Sequence, residues 1–477
     1  MIKPSISPKA NTNYLAKIFL LKKIEKCPNS DNLYRTEVDF QPVITSKDAE
    51  LNSWYVYFPT ESKISTELLS STNSYRDKTL NVNSEATPGY FEKSSRVKTI
   101  QMRGNYSSGY IVPLKTVEVF MQESIEREEV YFDTLKDKII VEKYIVPFTR
   151  KEQILSQSKS DKKASKINVV EGQFKFHDST ENLRKNSYKI KPLTEIDVTY
   201  KYHGTSAIVG NVLFEKPLNT FQKLVNILIP NYYTPKKYYD YIASSRKVIK
   251  VSNSSDPGFY SQDIWSILKE EIKEKIPKGF VVYGEIVGYL PNGGFIQGGY
   301  DYGLKPGTHA FYIYRITFVN DFGTTVELST EQIIEFSKKA GLPYINKFYS
   351  GSAVGLYREI MNLGDLSDAK YYNNILENYF NSEIDFETCK DEDKEVYLEL
   401  YSEALIEFQN AFVKLLELQF NEENCYLCKT KVPEEGVVVR LSGKLDKFEA
   451  LKLKSFKFLK RETDEADKEV SNMEDQN

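Results

Sequence analysis

The 477-residue sequence predicts an α+β chain: an OB-like β-barrel at the N-terminus, then a larger domain of antiparallel sheets and helices with a helical insertion. Three observations predict it. Residues 14 to 114 are a series of short apolar runs (15–22, 34–40, 54–58 and 110–113) divided by polar turn clusters such as Cys27-Pro28-Asn29-Ser30-Asp31-Asn32. That pattern belongs to many short strands. The stretch 156–166, SQSKSDKKASK, has the composition of an exposed linker. Behind it, apolar strand-like segments that each carry a charge give way to a block over 366–420. There Leu398, Leu405, Phe408, Phe412, Leu415 and Leu416 recur at helical spacing.

Taken in order, these signals divide the chain into a nucleic-acid-binding barrel over 1–115 and a Lys- and Glu-rich connecting segment over 116–170. A main domain follows over 171–461, and an acidic, disordered tail over 462–477. Within the barrel, Arg96-Val97-Lys98-Thr99-Ile100-Gln101-Met102-Arg103 spaces Arg96, Lys98 and Arg103 along a strand with aromatics nearby. Such spacing suits a groove for a nucleic-acid backbone. It equally suits a charged edge strand that resists aggregation. In the main domain, Val198, Tyr200 and Tyr202 alternate into one strand, His203-Gly204 breaks it, and Ala207-Ile208-Val209 begins another. Further on, Ser329-Thr330-Glu331-Gln332 is a capping box that opens a helix with Ile333, Phe336 and Ala340 on one side.

Composition narrows the function. The hydrophobic fraction is 40%, with 34 Tyr and 27 Phe, enough for two packed cores. The 64 Lys and Arg nearly balance 67 Asp and Glu, so a nucleic-acid surface has to be a local patch. The cysteines at 27, 389, 425 and 428 do not form a disulfide framework, and no apolar run reaches the ~18 residues that span a bilayer. The expectation is a soluble, cytoplasmic protein. The small number of His, at 177, 203 and 309 only, argues against multi-His metal sites. Cys425-Tyr426-Leu427-Cys428 is half a zinc site, and also reads as a hairpin with two small buried thiols.

Several segments set charge in apolar surroundings. Lys201 stands at a tight turn with no carboxylate within three residues. Ser244-Ser245-Arg246-Lys247 precedes an apolar pair, Gly284-Glu285 interrupts an apolar strand, and His309-Ala310-Phe311-Tyr312-Ile313-Tyr314-Arg315-Ile316 is an aromatic strand. Glu435-Gly436 heads the run Val437-Val438-Val439-Arg440, and Lys452 and Lys454 share one face of a strand. A nucleophilic amine, two strand-borne carboxylates, an aromatic platform and paired lysines are the parts that attack on a phosphoanhydride requires.

These segments, in this order, resemble the motifs of the covalent nucleotidyltransferases, the ligases and capping enzymes. Lys201-Tyr202-His203-Gly204 resembles the nucleophile motif Lys-x-Asp/His-Gly, Gly284-Glu285 the third motif, and Phe311 to Ile316 its aromatic companion. Glu435-Gly436 resembles the fourth motif and Lys452-Leu453-Lys454 the fifth. His203 in place of Asp is similar to the phage-type RNA ligases. The leading β-rich domain is similar to the ATP-dependent RNA ligase group with an N-terminal OB module, which includes nick-sealing enzymes that need an RNA 3′-OH end. Tyr200 stands where many relatives have Glu, Ser206 where phage ligases often have Asn, and Arg315 where Asp often follows the stacking aromatic.

The resemblance implies an adenylyltransferase fold for 171–461 and sealing of 3′-OH/5′-phosphate ends in three steps, through lysyl-AMP and then an RNA-adenylate. It implies Lys201 as nucleophile, Lys452 and Lys454 on the α-phosphate, and Glu435 and Glu285 as carboxylates for Mg²⁺ or Mn²⁺. Glu285 and Arg246 would contact the ribose and Tyr314 the adenine, with Tyr312 as second choice; His203 and Ser206 complete the ATP site. The implied partner is RNA as a nicked duplex, bound by a monomer. A DNA nick ligase and a GTP-using capping guanylyltransferase are rival readings within the superfamily. An inactive nucleic-acid-binding protein on the same scaffold is the rival outside it.

Overall fold

A computed structural model describes residues 1–145, 168–178, 180–230, 232–250, 262–363, 369–442 and 447–467. The stretch 156–166 and the last ten residues of the expected acidic tail lie outside them. The chain divides into two units, Met1–Thr149 with Phe456–Ser471, and Arg150–Ser455 with Asn472–Asn477.

The second unit is built on two sheets, antiparallel except where Glu181–Asn182 runs parallel to its neighbour. Eight strands matter here: β1 (Glu195–Tyr200), β2 (Thr205–Lys216), β3 (Lys236–Ser244), β4 (Phe280–Gly288), β5 (His309–Val319), β6 (Lys347–Ser352), β7 (Gly436–Leu441) and β8 (Ala450–Lys454). One sheet runs Ile249–Lys250, β3, β2, β4, β5, Thr325–Glu327; the other runs Glu181–Asn182, β8, β7, β1, β6. In the first, alternation sends Ala207 and Val209 of β2 into a core with Trp265, Ile286, Phe311 and Ile316. Ile208 and Val212 go to the opposite face with Tyr283 and Val319. Both faces are therefore buried, which is why β2 and β4 read as nearly continuous apolar runs.

Helix α1 (Thr330–Ala340) begins at the expected capping box: the Ser329 hydroxyl accepts from Gln332 N, and the Gln332 side chain accepts from Ser329 N. Gly341, in the left-handed region at φ 61°, ends it. Ile333 is buried in the core, with Phe336 and Ala340 packed against it. The helical insertion is a hairpin of α2 (Ala369–Thr388) and α3 (Lys394–Phe420). Phe408, Phe412, Leu415 and Leu416 of α3 are buried, whereas Leu398 remains exposed.

In the first unit, strands Val130–Phe132, Ala16–Leu20, Trp54–Phe58 and Tyr110–Pro113 make a four-stranded sheet, and Glu25–Lys26, Tyr34–Val38 and Gln41–Thr45 a three-stranded one. Among the described residues these strands form separate small sheets, and no closed barrel is seen. Part of the expected connecting segment belongs to this unit. Residues 114–143 carry the helix Leu114–Met121 and strands that pair with Ala16–Leu20 and Ser62–Ile64. The reason is apolar: Val117, Ile125, Phe132, Leu135 and Ile140 are buried beneath a charge-rich surface composition. The start of the expected tail is also ordered, since Glu462 to Asp467 complete the helix Phe456–Asp467, and Thr463 accepts a hydrogen bond from Thr99 N.

Candidate active site

Lys201 lies in the link Lys201–Gly204, which carries the chain from β1 in one sheet to β2 in the other. Its amide donates to Gly436 O at 2.8 Å, tying the link to the head of β7. Its Nζ is 2.6 Å from Oε1 of Glu435, a carboxylate with no exposed surface. Lys454 Nζ approaches the same oxygen at 3.6 Å, and His203 Nδ1 lies 3.7 Å from the other. Register explains the convergence, because Gly436 pairs with Lys454 and Val438 with Lys452 across β7 and β8. Two glycines permit the close approach. A Cβ on Gly436 (φ +137°) would come 2.0 Å from Leu453 O, and one on Gly204 2.3 Å from Ile286 O.

A cavity opens beside this cluster, and Lys201, Ser206, Arg246, Glu285, Tyr314 and Lys452 line it. Ser206 is the cross-strand partner of Glu285, and Glu285 in turn of Tyr312. The Tyr314 hydroxyl is 3.4 Å from Ser206 Oγ. Burial, reinforced by Glu285, holds the Tyr314 phenol well above its ordinary pKa, so it stays protonated. Tyr312 packs edge-on against Tyr202 and is not on the cavity wall. The ring of His203 packs edge-on against Tyr300, with centroids 4.9 Å apart, and turns toward Glu435.

The link is held from outside by a segment the sequence did not mark. The Tyr302 hydroxyl accepts from His203 N (2.6 Å) and donates to His203 O (3.2 Å), and Gln297 donates to Gly204 O at 2.7 Å. Tyr300 donates to Pro433 O, next to the glutamate pair. Asp301 accepts from the amides of Gly303, Lys429 and Thr430 at 2.7 to 3.2 Å. Burial opposes the charge on Asp301, but those donors prevail and hold its carboxyl below the usual range. Apart from the Gly303–Asp301 turn, these contacts join residues 93 to 133 positions apart, so no local pattern announces them. Burial, helped by Cys425 and Glu435, pushes the neighbouring Glu434 carboxyl up to about 9. His177 also proves to be on the cavity wall, and alternation along β7 could have flagged Arg440 beside Val438.

Cys425 is buried and Cys428 half-buried, in a turn where Cys428 N donates to Cys425 O. Among the described residues no group of three or more His, Cys, Asp and Glu is placed to hold a metal ion.

The three residues expected on a nucleic-acid face lie in the first unit. Arg96 is buried, with Nε and Nη2 on Glu61 at 2.9 and 2.7 Å and Nη1 3.4 Å from Asp467. Lys98 pairs with Glu92 and Asp467 at 2.7 and 2.8 Å. Glu92 is six residues from Lys98, but Glu61 and Asp467 are distant in sequence, so the run 96–103 could not show that these charges are engaged inside the unit. Arg103 is exposed at a turn, with φ 48°.

Among solved structures, the chain is similar to a Naegleria gruberi RNA ligase variant with ATP and Mn, at 13% identity and a TM-score of 0.50. The match covers 94% of this chain and 99% of that one. It has an RNA-ligase fold. Two further variants of that ligase match at TM-scores of 0.47 (with AMP and Mn, 13% identity) and 0.48 (apo, 14% identity), each over 94% of this chain and 98% of the other. No family model matches the chain, and no curated protein does. No helix among the described residues is long and apolar enough to cross a membrane.

Proposed function

We propose that this chain is an ATP-dependent RNA ligase that joins 3′-OH and 5′-phosphate ends at nicks through a lysyl-AMP on Lys201. One observation carries the reading: Lys201 and Lys454 gather on one oxygen of the buried Glu435, at the edge of a cavity that Ser206, Arg246, Glu285, Tyr314 and Lys452 complete. The Naegleria ligase, solved with ATP and Mn, has the same fold.

The residues fit a nucleotide and a divalent cation. The buried carboxylate of Glu435, with the carboxylate of Glu285 on the cavity wall, supplies oxygen donors suited to a Mg²⁺ or Mn²⁺ that keeps several of its waters. Glu435 would hold it, with Glu285 across the cavity, and it would offset phosphate charge. Lys201 attacks the α-phosphorus of ATP in line, its Nζ–P bond forming as the bond to pyrophosphate breaks. The amine must be neutral to attack. Lys454 adds like charge beside it, which opposes the hold of the Glu435 carboxylate on the proton. Lys452 and Lys454 neutralise the phosphate oxygens as charge builds. Arg246 and Glu285 hold the ribose, and Tyr314 packs against the base. His203 steadies Glu435 rather than touching the nucleotide. AMP then passes to the RNA 5′-phosphate, and the 3′-OH displaces it; positioning and electrostatics do most of the work in each step. In the first unit we assign the RNA contact to Arg103, with Arg96 and Lys98 as structural ion pairs.

Incubation with ATP labelled at the α-phosphate, followed by denaturation, should leave an acid-labile label on the protein. Label from GTP instead would favour a capping-type guanylyltransferase. RNA, DNA and mixed nicked duplexes then separate RNA ligase from DNA ligase. Nucleic-acid binding with no label from either nucleotide would sink the proposal.

A further inference from the structure

We propose that Cys425 and Cys428 are a dithiol that a peroxide oxidises to a disulfide, and that the disulfide slows adenylylation of Lys201. The covalent step stands on the thiols alone; its effect on Lys201 rests on the nucleotide reading above. Cys425-Tyr426-Leu427-Cys428 forms a tight turn, closed by Cys428 N donating to Cys425 O at 3.2 Å. A turn of this kind brings its first and fourth Cα atoms within about 7 Å, close to the separation a disulfide spans. Both thiols are free. The two are also unequal, as a reacting thiol and its resolving partner should be. Cys425 is 4% exposed, whereas Cys428 is half-buried. The Cys425 thiol donates a hydrogen bond to the Cys428 sulfur and so lowers the Cys428 thiol; burial opposes this, and the Tyr302 amide, a second donor, adds to it. The same hydrogen bond, with burial, pushes the Cys425 thiol up. A lowered, partly accessible thiol beside a second thiol is the arrangement that reacts with peroxide.

In the first step Cys428 attacks one peroxide oxygen as the O–O bond breaks, giving a sulfenic acid and water. Cys425 then attacks that sulfur, the S–S bond forms, and the hydroxyl leaves with the Cys425 proton as a second water. The two sulfurs lose two electrons, and the peroxide takes them up. The turn is tied to the nucleophile link at two points. The Tyr426 hydroxyl is 3.1 Å from that of Tyr202, the residue after Lys201. Tyr302, whose amide meets the Cys428 sulfur, holds His203 at both N and O through its hydroxyl. Directly after the turn, the amides of Lys429 and Thr430 donate to Asp301. A disulfide draws the Cys428 sulfur toward Cys425 and away from the Tyr302 amide. Tyr302 is buried, and a buried donor that loses its acceptor is costly. That cost falls on the clamp that aims Lys201.

The test uses the full chain, first reduced and then treated with hydrogen peroxide. Alkylation, digestion and mass spectrometry should find Cys425 and Cys428 unalkylated, in a peptide short of two hydrogens; dithiothreitol should restore both thiols. Label transfer from ATP should slow about tenfold in the oxidised protein and recover on reduction. In Cys425→Ala the disulfide cannot form, and Cys428 should instead be trapped by dimedone as the sulfenic acid. Cys389→Ala should change neither the linkage nor the slowing. If Cys425 and Cys428 of the unaltered protein remain open to alkylation after peroxide, the proposal is overturned, whether or not the variants fold. It is overturned equally if the linked protein takes label as fast as the reduced one. If the linkage forms but neither state takes label from ATP, the ligase reading fails and the dithiol site stands.

Discussion

Two clusters of charged residues teach opposite lessons. In the second unit, Lys201 and Lys454 meet the carboxylate of Glu435 at the edge of a cavity, where an anionic ligand could enter. In the first unit, Arg96 and Lys98 meet three carboxylates, Glu61, Glu92 and Asp467. There the cations are outnumbered, and the arginine side chain is 2% exposed. Both clusters look alike as stretches of sequence. They differ in surroundings: the first borders a cavity, and in the second the arginine is buried among its carboxylates.

The largest expected effect breaks the first cluster. Lys201→Arg keeps the positive charge, but an arginine cannot give up its proton to attack, so label from ATP should fall to background. Undiminished label in that variant would falsify the assignment of the nucleophile. Next, Arg96→Ala should cost about 3–5 kcal/mol in urea denaturation, because it strips a buried cation from its carboxylates. Label transfer to Lys201 should survive in conditions where the variant is folded. A loss of RNA binding with no loss of stability would return Arg96 to the nucleic-acid face.

Asp301→Asn sharpens the comparison in the middle range, since it removes charge that accepts three backbone amides near the nucleophile link. The expected cost is about 1–3 kcal/mol at neutral pH. The sign follows from the depressed carboxyl of Asp301. Its stabilisation is complete above the ordinary aspartate value of ~3.9 and is lost as pH falls through the lower folded value. The gap between the Asp and Asn proteins in thermal unfolding should therefore close as the pH is lowered below about 4. The smallest effect belongs to Arg103→Ala, which should reduce the salt slope of nick binding by about one and leave adenylylation intact. An unchanged slope removes Arg103 from the interface.

Much of the second unit was legible in the chain itself. The capping box of α1, the apolar runs of β2 and β4, and the shared face of Lys452 and Lys454 follow from local periodicity. The first unit was less legible. Its strands are short and its cores small, so the charge-rich stretch 116–143 hid the buried Val117, Ile125 and Phe132. The helix Phe456–Asp467 likewise ends in an acidic run that composition alone marks as disordered.

By itself, the sequence determined which residue types could do the chemistry and in what order they come: a lysine at a turn, a Gly-Glu and a Glu-Gly on strands, and two lysines in alternation. Periodicity and turn chemistry are local, and local physics reads them. Only the tertiary structure decided which charges meet. Strand register brought Glu435 to Lys201, a tyrosine a hundred residues on closed around His203, and distant carboxylates engaged Arg96 and Lys98. Pairing across long separations is set by packing and register, which no window along the chain contains.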